Sequence, residues 1–205
     1  VLRSLGWLVR HPAFRRRPVR TILRGAAWEA AKIAGRPLLA RLPWGPRLWC
    51  YPQRYRGVDG MIYVLREYER ETSFVRAFVR EGMTVLDVGA NVGYYAVTMA
   101  ELVGDRGRVH AFEPAADTRA KLARNLRANG VRNVLVHDVA LADADDTRTF
   151  YHAEDRGRSS LGPEDVVTAE EQVDCRRLDG LLPPETRIDF VKIDIEGAEL
   201  LALRG

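Results

Sequence analysis

Short apolar runs alternate with helically spaced segments over residues 83–205. Met83-Thr-Val-Leu86, Arg108-Val-His-Ala-Phe112, Asn133-Val-Leu-Val-His137 and Ile188-Asp-Phe-Val-Lys-Ile-Asp-Ile195 have the length and the β-branched content of buried strands. Between the first two, Tyr95, Val97, Met99, Leu102 and Val103 are apolar nearly all round a helix, as packing on a sheet requires. Between the second and third, Leu122, Ala123 and Leu126 repeat at helical spacing, and Asn129-Gly130 supplies the stop. A helix over 198–203 follows the fourth run. This alternation predicts an open, mostly parallel α/β sheet whose ligands sit beyond the carboxyl ends of its strands.

The flanking pattern is less regular. Val75, Phe78 and Val79 predict a helix over 72–79, capped by Thr72 or Ser73 and stopped at Glu81-Gly82, which delivers the chain to the first strand. Residues 138–141, the acidic turn Asp143-Ala-Asp-Asp146 and Thr147-Arg-Thr-Phe-Tyr151 predict an antiparallel excursion beside the third strand. Prolines 37, 43, 46 and 52 with Gly35 and Gly45 break residues 35–57 into turns and mark a boundary. The expected organisation is a basic helical or irregular segment over 1–57, a lead-in with a helix over 58–82, and the sheet domain over 83–205.

The ends of the predicted strands carry the chemistry. Asp87-Val-Gly-Ala-Asn-Val-Gly93 is a strand that runs through an acid and a glycine turn into a helix. Glycines there allow a sharp bend and a close approach to a ligand. A dinucleotide site wants three glycines as G-x-G-x-x-G, and Asp87 stands where the first belongs. A carboxylate repels phosphate but suits a ligand with an ammonium or sulfonium charge and ribose hydroxyls, which S-adenosylmethionine has. Glu113, 26 residues on and at the end of the second strand, stands where such sheets place a ribose-binding acid. Asp87, Glu113, Asp138 and Asp194 each close a predicted strand, so the fold is expected to gather them around one crevice.

Composition adds an asymmetry. Residues 1–54 hold twelve Arg and Lys against the single acid Glu29, whereas the remainder holds 20 bases against 27 acids. With Trp7, Trp28, Trp44 and Trp49 interleaved, such an arm suits peripheral contact with an anionic membrane surface or an acidic substrate, the alternative being a solvated arginine-rich region. No recognition motif accompanies the charge, so nucleic acid is not an expected partner. Cys50 and Cys175 form neither a disulfide framework nor a metal spacing and point to a reducing, cytoplasmic setting. No stretch reaches the roughly 18 apolar residues of a membrane span.

The glycine heptapeptide, Phe112-Glu-Pro114, Val139-Ala-Leu141 and Val191-Lys-Ile-Asp-Ile-Glu-Gly-Ala-Glu199 together resemble the FkbM-type family of S-adenosylmethionine-dependent methyltransferases, from about Tyr68-Glu69 to Gly205. The resemblance implies a Rossmann-like class I methyltransferase fold and O-methylation, commonly of sugars in polysaccharides, glycolipids or secondary metabolites. It implies that Asp87, Gly89, Ala90, Asn91 and Gly93 lie along the methionine part of the cofactor. By the same resemblance Glu113 holds the ribose, and Asp138 with Val139 meets the adenine. Family members continue with further strands after the Glu-Gly-Ala-Glu helix, so this chain is expected to be truncated after its fourth parallel strand.

Methyl transfer to a hydroxyl needs an aligned acceptor and a group to take its proton. Asp194 and Glu196, leaving the fourth strand beside the glycine turn, are the candidate bases. Lys192 shares a strand face with Asp194 and is the candidate to orient it or to hold an acceptor oxygen. Structural alternatives stand beside these roles: Glu196 receiving helix amides and Lys192 neutralising a buried acid. A magnesium site at Asp138, Asp194 and Glu196 is chemically admissible, but nothing in the spacing demands a metal. His110 reads as a core histidine, while His137 and His152 lie nearer the crevice, with His152 an alternative base. The polar segment Glu154 to Gln172 reads as a lid or acceptor loop, where Arg156, Arg158, Ser159 and Ser160 would meet hydroxyls or phosphate, or as an ordinary surface loop. A small-molecule or glycan acceptor is the expected partner. A nicotinamide-dependent oxidoreductase and a catalytically silent binding module are the alternatives from other classes.

Overall fold

The computed structural model describes residues 12–52, 58–66, 71–153 and 167–205. The chain divides into two compact units, Val1–Arg70 and Glu71–Gly205.

In the first unit, helix α1 spans Pro12–Arg16 and α2 spans Pro18–Ala34. Pro18 fits the first helical turn because its missing N–H has no intrahelical partner there anyway. Gly35, at φ 65°, ends α2 in the left-handed region, and Arg36 donates back to the Ala31 carbonyl at 3.0 Å. The region read as turns contains a hairpin. Strand β1, Leu38–Arg41, pairs antiparallel with β2, Arg47–Cys50, and Pro43 and Pro46 lie in the connection, where no ladder donor is lost. Helix α3, Val58–Leu65, completes the unit. Trp28 of α2 is buried against α3, where Gly60 leaves room for its ring and Tyr63 stacks on it with centroids 6.0 Å apart.

The second unit opens with α4, Glu71–Phe78, and then alternates. Strand β3 is Thr84–Val88, α5 Tyr94–Val103, β4 Arg108–Phe112, α6 Ala116–Ala128 and β5 Val134–His137. After an excursion, α7 spans Leu178–Leu181, β9 spans Phe190–Ile193 and α8 spans Glu199–Arg204. Strands β5, β4, β3 and β9 lie side by side in that order, all parallel. This is an open parallel α/β sheet in which β3, the first of these strands in sequence, lies inside and pairs with β9, which is at the edge among the described residues. Leu86, Val88 and Phe112 face a core with Leu141 and Ala202, onto which Val139, Leu178, Leu181 and Ile193 pack. Val85 and Asp87 alternate to the opposite face.

The excursion differs from its expected form. Strand β7, Asp146–Ala153, does not fold back on β6, Ala140–Leu141. It pairs antiparallel with β8, Val167–Arg176, and β6 pairs with β8 in parallel. Residues 167–172, read as part of a loop, are therefore strand. Their polar sequence hid them, because among the described side chains of β8 Val173 and Cys175 are the ones that enter the small core with Phe150, Ala140, Ala142 and Ala115. Arg156, Arg158, Ser159 and Ser160 lie outside the described residues.

Candidate functional site

The strand order sets the acids along one edge. Asp138 follows β5, Glu113 follows β4, Asp87 is the penultimate residue of β3 and Asp194 follows β9. Their exposures differ sharply. Asp87 and Glu113 are buried, whereas Asp138 and Asp194 are exposed.

Glu113 joins two turns. One of its oxygens accepts the Asn91 amide at 2.9 Å and the other the Ala115 amide at 3.0 Å. The carboxylate thus ties the β3–α5 turn to the β4–α6 turn and keeps a free lone pair on each oxygen for further donors. Burial raises its pKa from 4.5 to about 7, against the opposing pull of those two amides, Arg119 and Lys192. Arg119 itself caps the same corner, donating to the Glu113 carbonyl at 3.1 Å and the Pro114 carbonyl at 2.6 Å.

The glycine turn is fastened from both sides. The Gly89 and Ala90 amides both donate to the Phe112 carbonyl, at 3.1 and 2.9 Å. Asn91 has φ 50°, a left-handed conformation that its short amide side chain tolerates, and its side-chain oxygen accepts the Val92 amide at 2.8 Å. Gly89 has φ 76°, and a Cβ there would stand 2.2 Å from the Asp194 carbonyl oxygen. Gly93 has φ 94°, and a Cβ there would stand 2.6 Å from Leu122 Cδ1. Both glycines are thus required by close packing within the protein, Gly89 against the end of β9 and Gly93 against α6.

Register explains Lys192. Asp87 of β3 stands opposite Lys192 of β9, so the two side chains leave the sheet on the same face. The ammonium lies 3.4 Å from Asp87 Oδ1 and 3.7 Å from Asp194 Oδ2, and donates to the Gly89 carbonyl at 3.1 Å. It also sits 5.2 Å from the centre of the Tyr95 ring, within cation–π range. Asp87 is fully enclosed, and among the described residues neither of its oxygens accepts a well-formed hydrogen bond. Burial raises its pKa, with the Lys192 charge pulling the other way and Asp194 adding to the rise. The cation that answers Asp87 is thus part of the chain. Lys192 neutralises a buried acid and touches Asp194 at the same time, so its two sequence readings describe one arrangement.

Glu196 and Glu199 divide the roles expected of one residue. Glu196 is exposed, at φ 47°, and Gly197 follows at φ 92°, forming a left-handed tip after β9. The amides of this turn go to Glu199, which accepts from Gly197 at 3.1 Å and from Ile195 at 3.4 Å; its own backbone amide, and then these two, lower its pKa. Sequence reasoning missed Glu199 and Tyr95, although Tyr94-Tyr95 directly after Gly93 was a visible signal. Asp138 is exposed and Val139 packs partly into the core beside it. His137 stacks on Phe112 at 4.4 Å and shares a 3.0 Å hydrogen bond with His110 across β4 and β5. His152 lies in β7 opposite Ala169, in the second sheet. Among the described residues, no three His, Cys, Asp or Glu side chains converge as a metal site.

Residues 87–205 match the Methyltransferase FkbM domain family. The chain is 32% identical over 144 residues to Methyltransferase 1 of Beauveria bassiana, covering 59% of this chain and 57% of that protein. It is 46% identical over 56 residues to a protein-L-isoaspartate O-methyltransferase of Methanothrix thermoacetophila, covering 27% of each. The crystal structure of methyltransferase FkbM from Methylobacillus flagellatus superposes with a TM-score of 0.43 at 19% identity, over 72% of this chain and 38% of that one. The chain thus spans little more than half of the first relative and about a quarter of the second. The cofactor is S-adenosyl-L-methionine. The site fits it: a glycine turn in the left-handed region at the end of β3, an acid with lone pairs to spare, and a buried carboxylate whose own hydrogen-bonding capacity is unspent.

Proposed function

Because the chain belongs to the FkbM methyltransferase family, we propose that it methylates a hydroxyl of a sugar-containing acceptor, in a polysaccharide, glycolipid or secondary metabolite. The observation that carries this reading is Asp194: a half-exposed carboxylate at the end of β9, in contact with the Lys192 ammonium and packed directly on the turn of β3. Bound S-adenosylmethionine supplies an electrophilic methyl group on a sulfonium. Glu113 would accept the ribose hydroxyls, the Gly89 to Gly93 turn would hold the methionine portion, and Asp138 with Val139 would hold the adenine. Asp194 would take the acceptor proton while the acceptor oxygen gains the methyl group, the carbon–sulfur bond breaking to leave the demethylated cofactor as a neutral thioether, with Glu196 at the exposed tip as a second carboxylate near the acceptor. Lys192 holds Asp194 and the Gly89 carbonyl in fixed relation, so that the base and the cofactor turn keep one geometry. A relative named for O-methylation, 46% identical over 56 residues, supports an oxygen acceptor.

The test is methyl transfer from labelled S-adenosylmethionine to a panel of glycans. Asp194→Asn is expected to lower kcat by about 10²–10⁴-fold while the cofactor Kd stays within about twofold. Unchanged kcat in that variant removes Asp194 as the base. Stabilisation of the protein by NAD and none by S-adenosylmethionine or its demethylated product overturns the methyltransferase reading as a whole.

A further inference from the structure

Helix α2 has two opposed faces, and among the described residues only one is occupied. Thr21, Trp28 and Ala31 are buried in the first unit, and Arg24 turns inward to donate to the Val64 carbonyl at 3.5 Å. At 3.6 residues per turn these positions fall within about 80° of one another. Val19, Ile22, Leu23 and Ile33 fall in a second sector about 100° wide, on the far side of the helix. They are 68, 58, 64 and 88% exposed. Exposed Ala26 and Ala30 fill the gaps between them, so the stripe is aliphatic along the length of the helix. Isolated exposed aliphatic side chains are ordinary, but four aligned on one helical face are a surface.

Charge identifies what that surface meets. Arg15, Arg16, Arg17, Arg20 and Arg36 are all exposed around the two ends of the stripe. Residues 1–54 contain a single acid, Glu29, and it is paired with Lys32 at 3.5 Å. Two copies of this face brought together would oppose their arginines. The stripe also lacks the aromatic anchors typical of a protein interface. Among the described residues no helix is long and apolar enough to cross a membrane, so a bilayer would be met from its surface. We propose that α2 lies in the plane of an anionic phospholipid membrane, with Val19, Ile22, Leu23 and Ile33 among the acyl chains and the arginines at the headgroups. This docking stands independently of the methyl acceptor, because it is read by binding alone.

The experiment is co-sedimentation of the full chain with phosphatidylglycerol vesicles and, separately, phosphatidylcholine vesicles. The parent protein is expected to pellet with the first, to be released by salt, and to ignore the second. The triple variant Ile22→Asn, Leu23→Asn, Ile33→Asn is expected to bind at least about tenfold more weakly. Arg15→Gln, Arg16→Gln, Arg20→Gln together are expected to weaken binding about a hundredfold at low salt. Both sets lie on exposed positions, and an unchanged far-ultraviolet circular dichroism spectrum and unfolding transition certify their folding. The proposal is overturned if the parent stays in solution with phosphatidylglycerol, or if the aliphatic variant pellets as well as the parent. It is equally overturned if that variant instead turns a dimer into a monomer, which would make the stripe a contact between copies.

Discussion

At the scale of single residues, the site rests on two buried acids that are compensated in different ways. Asp87 depends on one ammonium. Lys192→Met leaves it enclosed without a cation, at an expected cost on the order of 3–5 kcal/mol in urea unfolding, and adding Asp87→Asn is expected to recover most of that loss. If the double variant is no more stable than Lys192→Met alone, the pair is not coupled. Glu113 depends on two amides and still titrates near neutrality, from 4.5 in an ordinary glutamate to about 7 here. The native state therefore holds that proton more tightly than the unfolded chain. Its contribution to stability is complete below pH 4.5 or so and is lost as the pH rises to about 7, a change of about 3 kcal/mol. Glu113→Gln removes this component, which is read as the difference between variant and parent in the slope of unfolding free energy against pH. Ionised Glu113 is also the better acceptor for ribose hydroxyls. Cofactor affinity is thus expected to rise with pH through about 7 in the parent and to stay flat in the variant.

At the scale of elements, the histidine pair gives the β4–β5 seam its own pH response. Burial lowers both pKa values from 6.5, with His137 and Arg108 also opposing protonation at His110 and Asp138 favouring it at His137. As pH falls below about 6.5 the unfolded strand takes up protons that the paired strand refuses, so the pairing weakens in acid. Hydrogen exchange at the β5 amides is expected to accelerate below pH 6.5 beyond its intrinsic rate. His137→Phe, which keeps the stack on Phe112, is expected to reduce that acceleration, leaving the part due to His110; if it persists undiminished, the seam responds to another group. Elements of this kind were partly legible in the chain. Arg108–Phe112 could be read to the residue because a charge opens it and Glu-Pro closes it. The β1–β2 hairpin could not, since its strands are four residues each and prolines flank them. The start of β8 was hidden by its polar sequence. The four strand-end acids followed from strand boundaries alone, but the contact of Lys192 with Asp87 depends on the register of β3 against β9, and register between distant strands leaves no local trace.

At the scale of the whole molecule, β9 is an edge of the parallel sheet among the described residues, and its neighbourhood is apolar. Val191 is 42% exposed, and Leu200 and Leu203 of α8 are more so. An open edge with an aliphatic rim invites association, and Val191→Lys is expected to raise the concentration at which light scattering first reports oligomers. No change would show that the edge is already protected. The pairing of β9 with β3 also has a consequence for the order in which the chain becomes a protein. Asp87 is synthesised 105 residues before Lys192, and β3 lies at the centre of the sheet with its charge facing inward. Until β9 docks, that carboxylate has no counter-ion, and the central strand can settle only by keeping a proton or by staying wet. The ion pair thus couples the settling of the central strand to the docking of β9: a nascent chain that has not yet made β9 leaves Asp87 without its ammonium, and the arrival of Lys192 supplies it.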